Sequence, residues 1–229
     1  LEWDSPIPRS PSELAQVPSG PFSMGCNASV DQECREDENP PHDVTLKDFE
    51  IDKTEVTQAQ YFLCVESGKC TYPKCPWDPC ARPTHPISCV THAQADAYCT
   101  SIGKRLPTEA EWEKAARGTD ARKFPWGNGP ISCFLANIAE CTKDLEPVGT
   151  RPQNASPFGV LDMAGNVVEW TKDYYDESYY AGSPPTDPPG PQVAPELVGR
   201  GGGFLSEPIW QRTSSRDSYP PGYTRVSLG

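Results

Sequence analysis

Ten cysteines in a chain of 229 residues constrain this fold more than any other feature. They stand at positions 26, 34, 64, 70, 75, 80, 89, 99, 133 and 141. Only 36% of the residues are apolar, and 27 prolines and 18 glycines make the chain rich in loops. A hydrophobic core alone has little to draw on. Disulfides add about 2–4 kcal/mol each and persist in oxidising compartments, so they complement such a core. Zinc is the competing use of cysteine. The spacing Cys64-x5-Cys70-x4-Cys75-x4-Cys80 holds no CxxC pair, and His42, His85 and His92 do not fall at ligand spacing. Disulfides are therefore expected. Cys26 with Cys34 and Cys133 with Cys141 read as local loop staples, and spacing leaves the middle six unconnected. The location is expected to be extracytoplasmic: periplasmic, secreted, or at the cell surface as a lipoprotein.

The formal charge of −12 argues against a nucleic-acid partner, whose phosphates need clustered Lys and Arg. It is compatible with calcium binding and equally with solubility alone. No apolar run is long enough for a spanning helix, so membrane attachment is expected only through an upstream lipid anchor. No leader is visible and a trimmed form is expected. Residues 1–20, with a Pro-Ser-Pro texture, read as a tether or an appended segment, and residues 21–229 as one domain. Asn27-Ala-Ser and Asn154-Ala-Ser match the glycosylation acceptor, a motif too common to carry weight.

Three segments read as helices, over 56–68, 91–103 and 108–117. The last lies in Gly-Lys-Arg-Leu-Pro-Thr-Glu-Ala-Glu-Trp-Glu-Lys-Ala-Ala-Arg, residues 103–117. Thr108 is placed to cap it, and Thr108-x-x-Glu111 is a capping box that satisfies orphan N–H groups. Trp112, Ala115 and Ala116 then share one face. Val44-Thr-Leu46, Phe49-Glu-Ile51 and Gly159-Val-Leu161 read as short strands between turn signals. The expected fold class is α+β, a single irregular, loop-rich, disulfide-stabilised domain.

The 103–117 stretch also resembles the signature of the formylglycine-generating enzyme (sulfatase-modifying factor) family. Pro21-Phe-Ser-Met-Gly25, Glu38-Asn-Pro-Pro-His-Asp-Val-Thr-Leu46 and Phe49-Glu-Ile-Asp-Lys-Thr-Glu-Val-Thr57 are similar to that family's opening motifs. His85-Pro-Ile87, Ala95-Asp-Ala-Tyr-Cys99, Phe124-Pro-Trp-Gly-Asn128, Pro147-Val-Gly149, Pro157-Phe-Gly159, Asp162-Met-Ala-Gly-Asn-Val-Val-Glu-Trp170 and Arg200-Gly-Gly202 follow in the family's order. The resemblance covers roughly residues 20–229 and implies a fold like that of a C-type lectin. Family members usually continue beyond the point matching Gly229 and often carry a further cysteine there. The resemblance thus implies a chain cut a few residues short, with Cys99 lacking its usual partner.

The family's enzymes oxidise a sulfatase cysteine through a copper(I)-binding cysteine pair shortly after Arg-Gly-Gly. Here residues 201–216 contain no cysteine. Ser206 stands at the first position, and the second is missing near Trp210 or Gln211. A hydroxyl cannot replace a copper thiolate, so copper is not expected. Gly203 replaces the family's serine, and Val168 replaces an active-site tryptophan. A branch of the fold that uses iron and three histidines is not matched either, since His42, His85 and His92 lie in unrelated segments.

Calcium, as a structural cofactor, is what the resemblance retains. Its implied ligands are the side chains of Asp162 and Glu169 with the carbonyls of Gly165 and Val167, an oxygen set that suits a hard cation. A second implied site begins at Asn137 and Ile138, with Asp144 to complete it. Ordinary hydrogen bonding in a turn is the bland alternative for Asp162 and Glu169. The expected function is a non-catalytic binding module that takes a protein, peptide or glycan ligand. Its candidate contacts are Phe204, Ser206, Glu207, Trp210, Arg212, Arg216 and Tyr219, although Phe204 and Trp210 could equally be core. A formylglycine-generating oxidoreductase, or another enzyme of the family, is the alternative.

Overall fold

The computed structural model describes residues 12–229. Three helices form where the capping residues place them: α1 (Gln58–Glu66), α2 (His92–Ser101) and α3 (Glu109–Arg117). Thr57, Thr91 and Thr108 each accept a hydrogen bond from the third helical residue, and Gln60, Gln94 and Glu111 answer with their side chains. Each helix therefore opens on a complete capping box, worth about 1 kcal/mol. In α3, Glu109 and Glu111 lie in the first turn and Lys114 and Arg117 in the last, in line with the helix dipole. The helix stops at Gly118, where φ is +69° and a Cβ would meet the Pro157 ring at 2.7 Å. Only glycine fits there.

Seven strands among the described residues form three small sheets. β1 (Leu14–Val17) pairs with β4 (Phe49–Asp52), and β2 (Gly20–Met24) pairs with β3 (His42–Leu46), both antiparallel. β5 (Glu169–Tyr174), β6 (Leu197–Arg200) and β7 (Asp217–Tyr219) make an antiparallel three-stranded sheet. Two sequence readings are corrected here. Leu14–Val17, inside the stretch read as a tether, is a paired strand whose Ala15 and Val17 are buried, so the folded unit starts before residue 21. The segment 1–11 lies outside the described residues. The 159–161 run is not a strand: Gly159 has φ +78°, and the Val160 N–H is taken by the Ser156 hydroxyl at 3.2 Å.

The core is divided. Trp112, Ala115 and Ala116 of α3 pack on Ala15 and Val17 with Val160 and Met163. Tyr61, Val65, Val90 and Tyr98 join α1 to α2. Leu106, Val168, Trp170, Leu197, Tyr219 and Leu228 fill the face of the three-stranded sheet. Disulfides brace the chain locally, each across 6 to 14 residues. Cys26 bonds Cys34 and Cys133 bonds Cys141, as expected, and Cys64 bonds Cys70 and Cys75 bonds Cys89. Cys80 and Cys99 are free thiols. No helix among the described residues is long and apolar enough to cross a membrane.

Candidate functional site

Residues 162–169 coil tightly because Asp162, Gly165 and Asn166 all adopt left-handed backbone, with φ of 60, 90 and 67°. A Cβ at Gly165 would lie 2.5 Å from the Asn137 carbonyl oxygen, so glycine lets this loop pass against residue 137. Two carbonyls late in the loop are in use. That of Asn166 accepts from the Phe204 N–H (2.8 Å) and that of Val168 from the Gly229 N–H (2.9 Å). Among the described residues, the Gly165 and Val167 carbonyls accept no backbone hydrogen bond. Buried carbonyls are seldom left this way.

Carboxylates gather at the same loop. Asp162 accepts from the Gly149 N–H at 2.5 Å, and Glu169 accepts from the Trp112 indole N–H at 2.9 Å. Sequence reasoning missed a third carboxylate, Glu55, from the segment that leads into α1. Its two oxygens accept from the Asn166 side-chain amide (2.7 Å) and the Val167 N–H (3.0 Å). Burial first, then the charges of Asp162 and Glu169, push Glu55 well above the usual carboxylate range. Burial, with Asp162 adding to it, raises Glu169 to about 7. Burial also raises Asp162, against the opposing pull of Gly149, Asn154 and Arg151. Arg151 is itself paired with Glu146. Three carboxylates in mutual repulsion, Glu55 and Asp162 buried and Glu169 half-buried, lie beside two carbonyls without backbone donors and form an oxygen-rich set that suits calcium. A cavity of about 480 Å³ lined by Glu55, Cys99, Lys104 and Glu169 runs past them.

The second implied cation set is not assembled. The Asp144 carboxylate pairs with Arg82 at 3.1 Å, so a guanidinium takes the cation's part. The Asn137 side chain is spent on the Asp144 carbonyl (2.8 Å) and the Thr142 hydroxyl (3.0 Å), and the Ile138 carbonyl accepts from the Cys141 N–H. Among the described residues, one group of three metal-type ligands lies within 4.8 Å: Cys26, Asp31 and Glu38. It holds no room for a metal, because Cys26 is in a disulfide and Arg212 binds both carboxylates. The three histidines stay apart. His42 packs edge-on against Tyr180, His85 lies in the loop before the second helix, and His92 Nε2 lies 2.9 Å from the Thr171 carbonyl.

Residues 200–216 do not form one exposed face, which corrects the expected recognition surface. Arg212 is buried and binds Glu38 through both terminal nitrogens and Asp31 at 2.8 Å. Arg216 is buried between Tyr175 and Tyr180 and binds Glu109 at 2.7 and 3.1 Å. Arg200, also buried, binds Glu113 and the carbonyls of Thr213, Ser214 and Ser215. Phe204 and Tyr219 are buried too. Burial alone would raise Glu109, yet Arg216 and Arg200 hold it below the usual glutamate range. Ser206, Glu207 and Trp210 remain at the surface, with Trp210 stacked on Arg35 at 4.2 Å. The Ser206 hydroxyl accepts from the Gly203 N–H (3.1 Å).

One edge of Phe204 reaches a groove of about 450 Å³ that Trp77, Asp78, Arg82, Asp144 and Leu145 also line. The Cys75–Cys89 disulfide braces its wall, and the Cys89 N–H bonds the carbonyls of Arg225 and Leu228. A volume of this size, with an aromatic wall and a few charged groups, is that of a small-ligand or side-chain pocket.

A sequence profile of the family described as "Sulfatase-modifying factor enzyme 1-like domain" matches residues 5–229. The chain is 31% identical to a formylglycine-generating enzyme of Streptomyces coelicolor, over 97% of this chain and 89% of the relative. Among solved structures it is similar to PvdO from Pseudomonas aeruginosa, with a TM-score of 0.80, 26% identity, and coverage of 97% and 94% of the two chains. It is also similar to Treponema denticola variable protein 1, with a TM-score of 0.72, 25% identity, and coverage of 94% and 92%.

Proposed function

The chain belongs to the family of sulfatase-modifying factor enzyme 1-like domains, and from that premise we propose that it is a calcium-organised binding module and not a formylglycine generator. Residues 201–216 carry the proposal: they contain no cysteine, and their buried arginines serve as structural ties. Formylglycine generation by the family's route needs two soft thiolates for copper(I). A serine hydroxyl at 206 and a buried amide at Gln211 supply neither.

Calcium fits the 162–169 loop through the chemistry of its donors. Asp162 and Glu169 would hold it through side chains, and Gly165 and Val167 through carbonyls. When bound, the ion supplies the positive charge that offsets buried carboxylates whose isolation costs several kcal/mol each. The chain's own residues order the loop around it: Trp112 fixes Glu169, and the Gly149 N–H fixes Asp162. The groove beside Trp77 would receive a protein, peptide or glycan ligand, with Trp77 as the aromatic anchor and Arg82 and Asp144 as polar groups at its edge. Four disulfides favour a chain secreted from, or displayed outside, the cytoplasm.

The test is metal analysis of the purified chain by mass spectrometry, with and without chelator, alongside a copper(I) titration. Calcium without stoichiometric copper is expected. Stoichiometric copper(I), held through the remaining thiols, would overturn the proposal. Immobilised chain should then retain peptides or glycans that Trp77→Ala does not.

A further inference from the structure

Glu55 stands outside the ligand set just described, yet it makes two contacts with the backbone and side chain that carry that set. Its separation from the loop is 111 residues to Asn166 and 112 to Val167. It lies two residues before Thr57, the cap of α1, so one short segment ties the calcium loop to the disulfide-braced helical pair.

The contacts decide which way the loop's polar groups point. Val167 gives its N–H to Glu55, and Asn166 gives its side-chain amide to the other Glu55 oxygen. The Asn166 carbonyl goes to Phe204. Once these groups are spent, the Gly165 and Val167 carbonyls on either side of Asn166 remain without a backbone donor among the described residues, as do those of Asp162 and Met163 earlier in the loop. Asn166 sits at φ +67°, a left-handed conformation that asparagine tolerates and that the Glu55 contact helps to hold.

Resting on the calcium reading above, we propose that Glu55 is the positioning residue of the cation loop: it holds the 166–167 peptide so that the carbonyls of Gly165 and Val167 stay available to calcium. A partner that orients ligands without touching the metal commonly sets affinity by about 10–100-fold. Binding at the loop is then coupled to order in the segment before α1, although no residue of that segment is a ligand.

The experiment is calorimetric calcium titration of the chelator-stripped chain and of Glu55→Gln, which preserves shape and one acceptor but loses the second. The variant should bind calcium about 10–100-fold more weakly. Equal affinity would overturn the role of Glu55 and leave the calcium reading standing. A wild-type chain that takes up no calcium would overturn both. Hydrogen exchange of the wild type keeps the test open should the variant fail to fold. Calcium should slow exchange in residues 53–60 as well as in 162–169, and protection confined to 162–169 would overturn the proposal.

Discussion

The indole N–H of Trp112 donates to the Glu169 carboxylate at 2.9 Å, tying the buried face of α3 to the 162–169 loop. The signature helix is thus more than a packing element. It presents one donor to one of three carboxylates that repel each other, and the others gain nothing from it.

Trp112→Phe keeps an aromatic ring in the core, gives up part of the indole volume and removes the donor. Leaving a buried carboxylate short of its hydrogen bond costs about 1–3 kcal/mol. Urea unfolding in chelator should show a lower midpoint at unchanged slope, with much of the loss recovered on adding calcium. An unchanged midpoint would mean that the bond contributes nothing to the loop.

Arg212 closes a longer circuit. It joins residues 31 and 38 to the C-terminal segment with its side chain fully buried. Arg212→Met would strand Glu38 in the interior and leave Asp31 to Lys123 alone, a change that costs about 3–5 kcal/mol. Thermal unfolding should fall sharply, whereas Glu207→Ala, at the surface, should move stability by less than about 0.5 kcal/mol.

Asp173 sets a pH dependence. Burial, followed by the charge of Glu109, raises it to about 7, although it accepts the Glu109 N–H at 2.8 Å. An unfolded aspartate titrates near about 3.9. The native state therefore keeps a proton that the unfolded chain releases, so the Asp173 contribution is full below about 4 and is lost as pH rises toward about 7. In saturating calcium, Asp173→Asn should remove this decline, a difference on the order of a few kcal/mol between pH 5 and 8. Parallel pH profiles for both chains would contradict it.

The two free thiols should differ in reactivity. Cys80 is exposed. Cys99 is partly buried, and burial, with Asp52 and Asp96, raises its thiol to about 11, leaving little thiolate at neutral pH. Iodoacetamide at pH 8, read by mass spectrometry, should label Cys80 first and Cys99 only on unfolding. Equal rates would contradict the placement of Cys99.

The helices were legible because their signals are local: Thr57, Thr91 and Thr108 each answer to a residue three places on. The short staples at Cys26 and Cys133 were legible for the same reason. β1 was hidden because its alternation in Leu14–Val17 is brief and follows a proline-rich stretch. Arg212 and Arg216 looked like surface groups, since arginine is rarely buried unless paired and their partners lie more than 100 residues away. Glu55 was missed on the same ground. Its one local hint is an acid placed directly before the valine and the capping threonine of α1, in a segment otherwise read as strand and cap.

The central claim is that the scaffold has given up cysteine oxidation. The most direct measurement offers a Cys-x-Pro-x-Arg peptide and oxygen to the copper(I)-supplemented chain, and traps any aldehyde with a hydrazide probe. The absence of thiolates from residues 201–216 predicts no aldehyde above a protein-free blank. Aldehyde that accumulates with repeated turnover would contradict it, and would place a working oxidase site among the cysteines that remain.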